Sequence, residues 1–222
     1  HFLGTIVYVT GAAQPNFMEF IVIDGQQRIT SVMLLIKALH NIIQDHNLKE
    51  DIMETYLINK RAPENLRIKL KPIESDMIAY EKIIANPDVS DTSNITKNYN
   101  LFKRLIETSN YSAEDLYYAL NNVEIVYISL DKDKKSENPQ LIFESLNSTG
   151  LTLTQADLIR NYLLMNHEYE EQSRLYKNYW LKIENLLPNV IISDFVRDYL
   201  IMKSGSIPNR DKVYETFKNY TR

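Results

Sequence analysis

The run Ile21-Val22-Ile23-Asp24-Gly25-Gln26-Gln27-Arg28 decides how this chain folds at its start. Its β-branched residues read as the end of an apolar strand. Behind it, Ile29, Val32, Met33, Ile36, Leu39 and Ile43 recur at helical spacing, which predicts an amphipathic helix reaching about residue 47. A strand that passes straight into a helix leaves the N–H groups of the first helical turn without intrahelical partners. Those groups, with the helix dipole, favour an anion. Gly25 permits close approach of a ligand and a positive φ. Arg28 can grip phosphate oxygens with two parallel hydrogen bonds. Asp24 can hold a magnesium ion or orient water, and Gln26 and Gln27 can position an attacking water. A structural reading competes: Asp24 caps the helix, Gly25 makes the turn and Arg28 forms a surface ion pair. The turn has too few glycines for a Walker-type phosphate loop.

Working outward, residues 2–10 read as a strand and 11–16 as a turn, so the segment at 17–23 completes a hairpin. Further helices are expected at 48–59, 75–84, 94–108, 113–120, 139–146, 155–165, 168–186, 191–203 and 212–220. Strands are expected at 66–71 and 123–130. Ser112 reads as a cap, and so does Thr152 or Thr154. The layout is α+β: a small sheet near the N-terminus followed by a mostly helical remainder.

At 222 residues, the chain can bury one good-sized core or two small ones. A net charge of −4 argues against a surface that is basic all over, so nucleic-acid contact would need a local patch. The absence of cysteine excludes a disulfide framework, a zinc–thiolate site and thiol catalysis, and it fits a cytoplasmic location. No apolar run approaches the ~20 residues that span a bilayer. The sequence opens on a strand already under way, without methionine, and is expected to be a piece of a longer protein.

Several stretches together carry a resemblance. They are Phe2-Leu3-Gly4 with Ile6-Val7; Ile23-Asp24-Gly25-Gln26-Gln27-Arg28-Ile29-Thr30; Phe143-Glu144-Ser145-Leu146-Asn147 with Gly150-Leu151-Thr152-Leu153; and Asp157-Leu158-Ile159-Arg160-Asn161. In this order they resemble the N-terminal domain of GmrSD-type, modification-dependent restriction endonucleases, whose hallmark is Asp-Gly-Gln-Gln-Arg. The resemblance covers nearly the whole chain. It implies a ParB/sulfiredoxin-like core and the binding, with possible hydrolysis, of a nucleoside triphosphate with Mg2+. That chemistry would control a nuclease acting on DNA that carries a modification. It also implies an upstream segment with a Tyr-Gln-Arg-type motif and a C-terminal HNH-type nuclease domain, neither visible here. The domain division expected on this basis is residues 1–165, with a helical insertion at about 48–122, then a helical region at 166–222. Asp24, Gln26, Gln27 and Arg28 become catalytic candidates, with Asp24 the metal ligand. Gly25, Arg28, Thr30, Asn147, Asp157 and Asn161 become nucleotide-binding candidates.

Asp157 and Asn161 lie one helical turn apart and share a face; with Asn147 they can form a polar wall. Equally, Asn147 and Gly150 can be C-cap residues, and Asp157 can sit in a first turn for the dipole. Arg67, Lys69 and Lys71 alternate with apolar residues, so a strand would place them on one face as a DNA-contacting stripe. That arrangement would suit a DNA-binding or protein-interaction module without catalysis; solvated lysines on an edge strand read the same way. Tyr169, Tyr176, Tyr179, Tyr199, Tyr214 and Tyr220, with Trp180, can stack on a base or fill a core with their hydroxyls at its margin. No acidic cluster with two-metal spacing suggests a nuclease centre in this chain.

Overall fold

The structure, a computed structural model, describes residues 1–72, 74–86, 88, 91–130, 153–164, 167 and 169–221. The chain divides into two compact units, His1–Asp131 and Lys132–Arg222.

In the first unit, β1 (Phe2–Gln14) and β2 (Phe17–Asp24) form the expected antiparallel hairpin. The strand pairing runs on to Gln14, so the turn tightens to Pro15 and Asn16, with an irregularity between Thr10 and Ala13. β3 (Glu124–Leu130) pairs parallel to β1, giving the strand order β2-β1-β3. As the central strand, β1 places Ile6, Val7 and Val9 in the interior.

The long helix α1 spans Gln26–Ile42 and ends earlier than its apolar periodicity suggests. Ile43 turns into an extended conformation, with its side chain fully buried. Asp45 then caps a new helix, α2 (His46–Ile52), its carboxylate accepting from the N–H groups of Asn47 and Leu48. A single π-helical turn, Met53–Leu57, extends α2. Next come α3 (Glu74–Ala85), α4 (Asn94–Glu107) and α5 (Ala113–Ala119). Ser93 and Ser112 cap the last two through their hydroxyl oxygens, as the sequence suggests for Ser112. Leu34, Leu39, Ile43, Tyr80, Ile83 and Tyr99 are the centre of this unit's core.

The stretch 66–71 is a correction to the sequence reading: no strand forms there. Glu64–Leu66 is a turn of 3-10 helix, Arg67 has helical dihedrals, and the only extended pairing is one isolated bridge, Ile58 to Ile68. Alternation of polar and apolar residues governs which side chains face water, but a strand needs a neighbour, and here a single bridge supplies it.

In the second unit, α6 (Gln155–Leu164) follows Thr154, whose hydroxyl oxygen accepts from the Asp157 N–H. α7 (Tyr169–Leu175), a π-helical turn (Tyr176–Trp180) and α8 (Leu181–Leu186) follow as one run, then α9 (Asn189–Ser204) and α10 (Val213–Tyr220). Ala156 and Ile159 of α6 share a core with Trp180, Ile192, Leu200, Val213 and Tyr214. This packing draws α6 to the helices that follow it, so the compact division falls at Asp131/Lys132, whereas the expected domain boundary stands at 165/166. Trp180 and Tyr214 are core residues, while Tyr179 is exposed. The fold class is α+β, mostly helical. Among the described residues, no helix is long and apolar enough to cross a membrane.

Lys37 is an anomaly on the buried face of α1, with only 3% of its surface exposed. Burial, with repulsion from Lys49, lowers its pKa to about 8. Between about 8 and the ordinary 10.5, the unfolded chain binds the proton more readily than the folded one, so this residue's contribution to stability rises with pH in that window. Below it, the full penalty of the buried charge remains. Lys37→Met is therefore expected to raise unfolding free energy at pH 7 by about 1–3 kcal/mol. The gain should shrink toward pH 10.5, as read by urea denaturation across that range.

Candidate functional site

The β2–α1 junction is built around two glycines. Gly25, the N-cap residue of α1, has φ 92° and ψ 11°, the left-handed region. A Cβ there would lie 3.0 Å from the Thr5 carbonyl oxygen and 3.1 Å from Ile6 Cγ1. The junction thus packs directly on the backbone of β1, at a distance that only glycine allows. Gly4, with φ 110°, performs the matching task on β1: a Cβ there would come within 3.2 Å of Arg28 Nε.

Arg28 lies across that gap. Its Nη1 donates to the Thr5 carbonyl in a short hydrogen bond and approaches Asp24 Oδ2 at 3.2 Å. The guanidinium therefore ties β1, the end of β2 and the first turn of α1 together. Its side chain keeps 44% of its surface exposed, so the group is neither sealed in the core nor loose in solvent. Asp24 does not cap the helix; its carboxylate turns to Arg28.

The first turn of α1 has no side-chain cap and no acidic residue. In the same unit α2, α4 and α5 are each capped by Asp or Ser; α9 and α10 of the second unit share with α1 the lack of a side-chain cap. Gln26 Nε2 donates to the Val22 carbonyl at 3.0 Å, which pins that side chain to β2. Gln27 is exposed. The Thr30 hydroxyl donates to the Gln26 carbonyl at 2.8 Å, bonding back along its own helix. The chemistry on offer is consistent with a phosphate-bearing ligand: helix-terminal amides, one guanidinium already oriented, and one carboxylate. For magnesium, Asp24 supplies a single protein oxygen, which suits an ion that takes its remaining ligands from phosphate and water. Among the described residues, no group of three His, Asp or Glu side chains could hold a metal by itself.

The other candidates divide. Asn147 and Gly150 lie outside the described residues. Asp157 forms a capping box with Thr154: its Oδ2 accepts from the Thr154 hydroxyl at 2.6 Å and backbone N–H at 3.2 Å, and the Thr154 hydroxyl oxygen accepts from the Asp157 N–H. Its Oδ1 meets Arg160 at 3.3 Å. Asn161 sits half-buried a turn further along α6. Asp157 thus has the structural role that the sequence left open. Of the basic residues at 66–71, the Lys69 ammonium donates to the carbonyls of Glu54 and Thr55, both at 2.7 Å, closing the π-helical turn after α2. Arg67 Nε reaches the Ala62 carbonyl at 3.5 Å. Both are exposed along with Lys71, but two of the three cations are committed to the chain's own backbone.

Sequence reasoning did not assign Gly4 its part as the bed for Arg28. A glycine inside the β-branched and aromatic run at 2–10, in a chain with five glycines, is the signal that could have found it.

This fold and junction define an α+β domain that presents an uncapped helix end, clamped by arginine, at the end of a small mixed sheet. Residues 1–164 match the family described as GmrSD restriction endonuclease, N-terminal domain, and the chain belongs to that family. It is a component of a restriction system. No curated protein matches it.

The close packing of Gly25 against β1 sets a strict test. Gly25→Ala is expected to destabilise the protein by about 2–3 kcal/mol, from left-handed strain plus the contact with the Thr5 carbonyl. Urea unfolding checks this, and a loss under about 0.5 kcal/mol would contradict the geometry.

Proposed function

We propose that the β2–α1 junction binds the phosphates of a nucleoside triphosphate, and that this binding regulates a nuclease acting on modified DNA. The observation that carries the reading is the uncapped first turn of α1, lined by glycine and free of acidic side chains, with Arg28 already oriented beside it. Amides at a helix start, together with a guanidinium, make a donor set that matches phosphate oxygens.

In this reading the amides of Gln26, Gln27 and Arg28 receive the phosphate oxygens. The guanidinium, fixed by Thr5 and Asp24, directs its remaining N–H groups at them and offsets charge that develops during hydrolysis. Asp24 would hold the magnesium ion, which when bound would neutralise phosphate charge. Gln26 is anchored to Val22, so the exposed Gln27 is the better placed of the two amides to orient a water. Family membership supports a link to DNA restriction; the nuclease itself would lie in another domain or on a partner.

The test is nucleoside triphosphate binding and hydrolysis by the full-length protein in the presence of magnesium. Asp24→Ala and Arg28→Ala are expected to weaken binding at least tenfold, about 1.4 kcal/mol each. Because Arg28 also holds the fold, Gln27→Ala supplies the second readout: turnover falls while unfolding free energy stays within about 0.5 kcal/mol of wild type. Wild-type affinity in the first two variants together with wild-type turnover in the third would sink the assignment.

A further inference from the structure

The helix α9 (Asn189–Ser204) of the second unit has two apolar faces where its packing needs one. The inward face is satisfied: Ile192 and Leu200 are buried with Trp180 and Tyr214, and Val196 packs against that core. A helix whose opposite face meets only water carries polar residues there. On α9 that face presents Ile191, Phe195 and Met202, with 48%, 58% and 70% of their surfaces exposed. Tyr199 flanks them, and its ring meets that of Tyr220, at the end of α10, edge-on with centroids 6.2 Å apart. Exposed apolar residues scattered singly need no explanation. These five side chains form one continuous patch of roughly 500 Å², a size at which exposed apolar surface commonly has a function.

The spacing has a pattern. Ile191, Phe195, Asp198 and Met202 recur at intervals of four, three and four, the seam of a coiled coil. One member of that seam is a carboxylate. Asp198 is exposed and has no hydrogen-bond or ion-pair partner among the described residues. A polar residue in an otherwise apolar seam costs stability and fixes register and orientation. One turn earlier on the same flank, Asp194 is met by Arg210 at 3.6 Å. That arginine keeps 78% of its side chain exposed, so its guanidinium is open to a second carboxylate.

We propose that this face of α9 pairs with the same face of a second copy of the chain, antiparallel about a two-fold axis. An axis passing between Phe195 and Asp198 sets Ile191 against Met202 of the second copy and brings both Phe195 rings to the middle. Antiparallel two-fold pairing also keeps like flank against like flank. Asp194 of one copy therefore lies beside Asp198 of the other, and Arg210 comes with it. Each Arg210 then bridges its own Asp194 and the Asp198 of the second copy, twice by symmetry. A parallel pair would instead set Asp198 against Asp198 with no base between them. The stripe and its charges thus complement themselves in one orientation. With the polar margin included, the contact approaches the ~800 Å² per partner of a standard interface. α9 lies beyond residues 1–164, which match the family, and the proposal is independent of the reading given to the Gly25 junction.

Sedimentation equilibrium of the full chain, from low to high micromolar concentration, is expected to show a reversible monomer–dimer equilibrium. Phe195→Glu and Met202→Glu should each weaken the dimer about tenfold or more. Far-UV circular dichroism and the urea midpoint should stay at wild-type values in both, because neither side chain belongs to the core. Asp198→Arg and Arg210→Glu should each weaken the dimer as well, since each sets like charges face to face. An equimolar mixture of those two variants should recover wild-type dimerisation, because every facing pair is again of opposite sign. A chain that stays monomeric at every concentration overturns the proposal and leaves the stripe to a different protein. A dimer untouched by Phe195→Glu and Met202→Glu overturns the choice of face. A dimer that the charge variants break, with no recovery in their mixture, overturns the antiparallel pairing.

Discussion

One guanidinium organises the N-terminal unit. Arg28 belongs to the first turn of α1, yet one of its partners is the Thr5 carbonyl of β1 and the other is the last residue of β2. Charge-assisted hydrogen bonds of this type contribute about 1.5–3 kcal/mol when they are well formed. Here they also fix an angle: the helix leaves the sheet where the arginine can bridge both strands. Two positive-φ glycines make the bridge possible, Gly25 by letting the junction touch β1 and Gly4 by giving the side chain a flat bed. The motif Asp24 to Arg28 is therefore a mechanical unit before it is a chemical one. Its arginine is held by Thr5 and Asp24, and a side chain that is already fixed loses less entropy when it engages a further group.

The same economy runs through the polar network of the second unit, with the opposite outcome. Glu184 accepts from Arg160 and Trp180, each at 2.8 Å, and from the Tyr176 hydroxyl at 2.9 Å. Every oxygen is engaged, and the network joins α6 to the run of helix that carries Trp180. A satisfied network of this kind specifies packing. The first unit holds the contrary case, a helix start without a side-chain cap and, on the same helix, the buried Lys37. Departures from local consistency tend to mark the places where a protein keeps groups for a partner.

What the sequence determined by itself is what depends on neighbours a few residues away. The hairpin, the amphipathic α1 and the cap at Ser112 follow from periodicity and short-range hydrogen bonding, which need no tertiary frame. The junction was legible for the same reason: Asp24, Gly25 and Arg28 form it from consecutive residues. Tertiary structure decided the rest. Arg28 finds Thr5 at 23 residues' separation, and β3 joins β1 from more than a hundred residues away. The stretch 66–71 alternates like a strand but has only the bridge at Ile58, so its pattern sets exposure without setting pairing. Lys37 reads as one polar residue on a helix, and only the packing of α1 reveals that its charge is buried. Local propensity chooses what a segment prefers to be; the partner it meets across the fold decides whether that preference is realised, and what its charged groups are left to do.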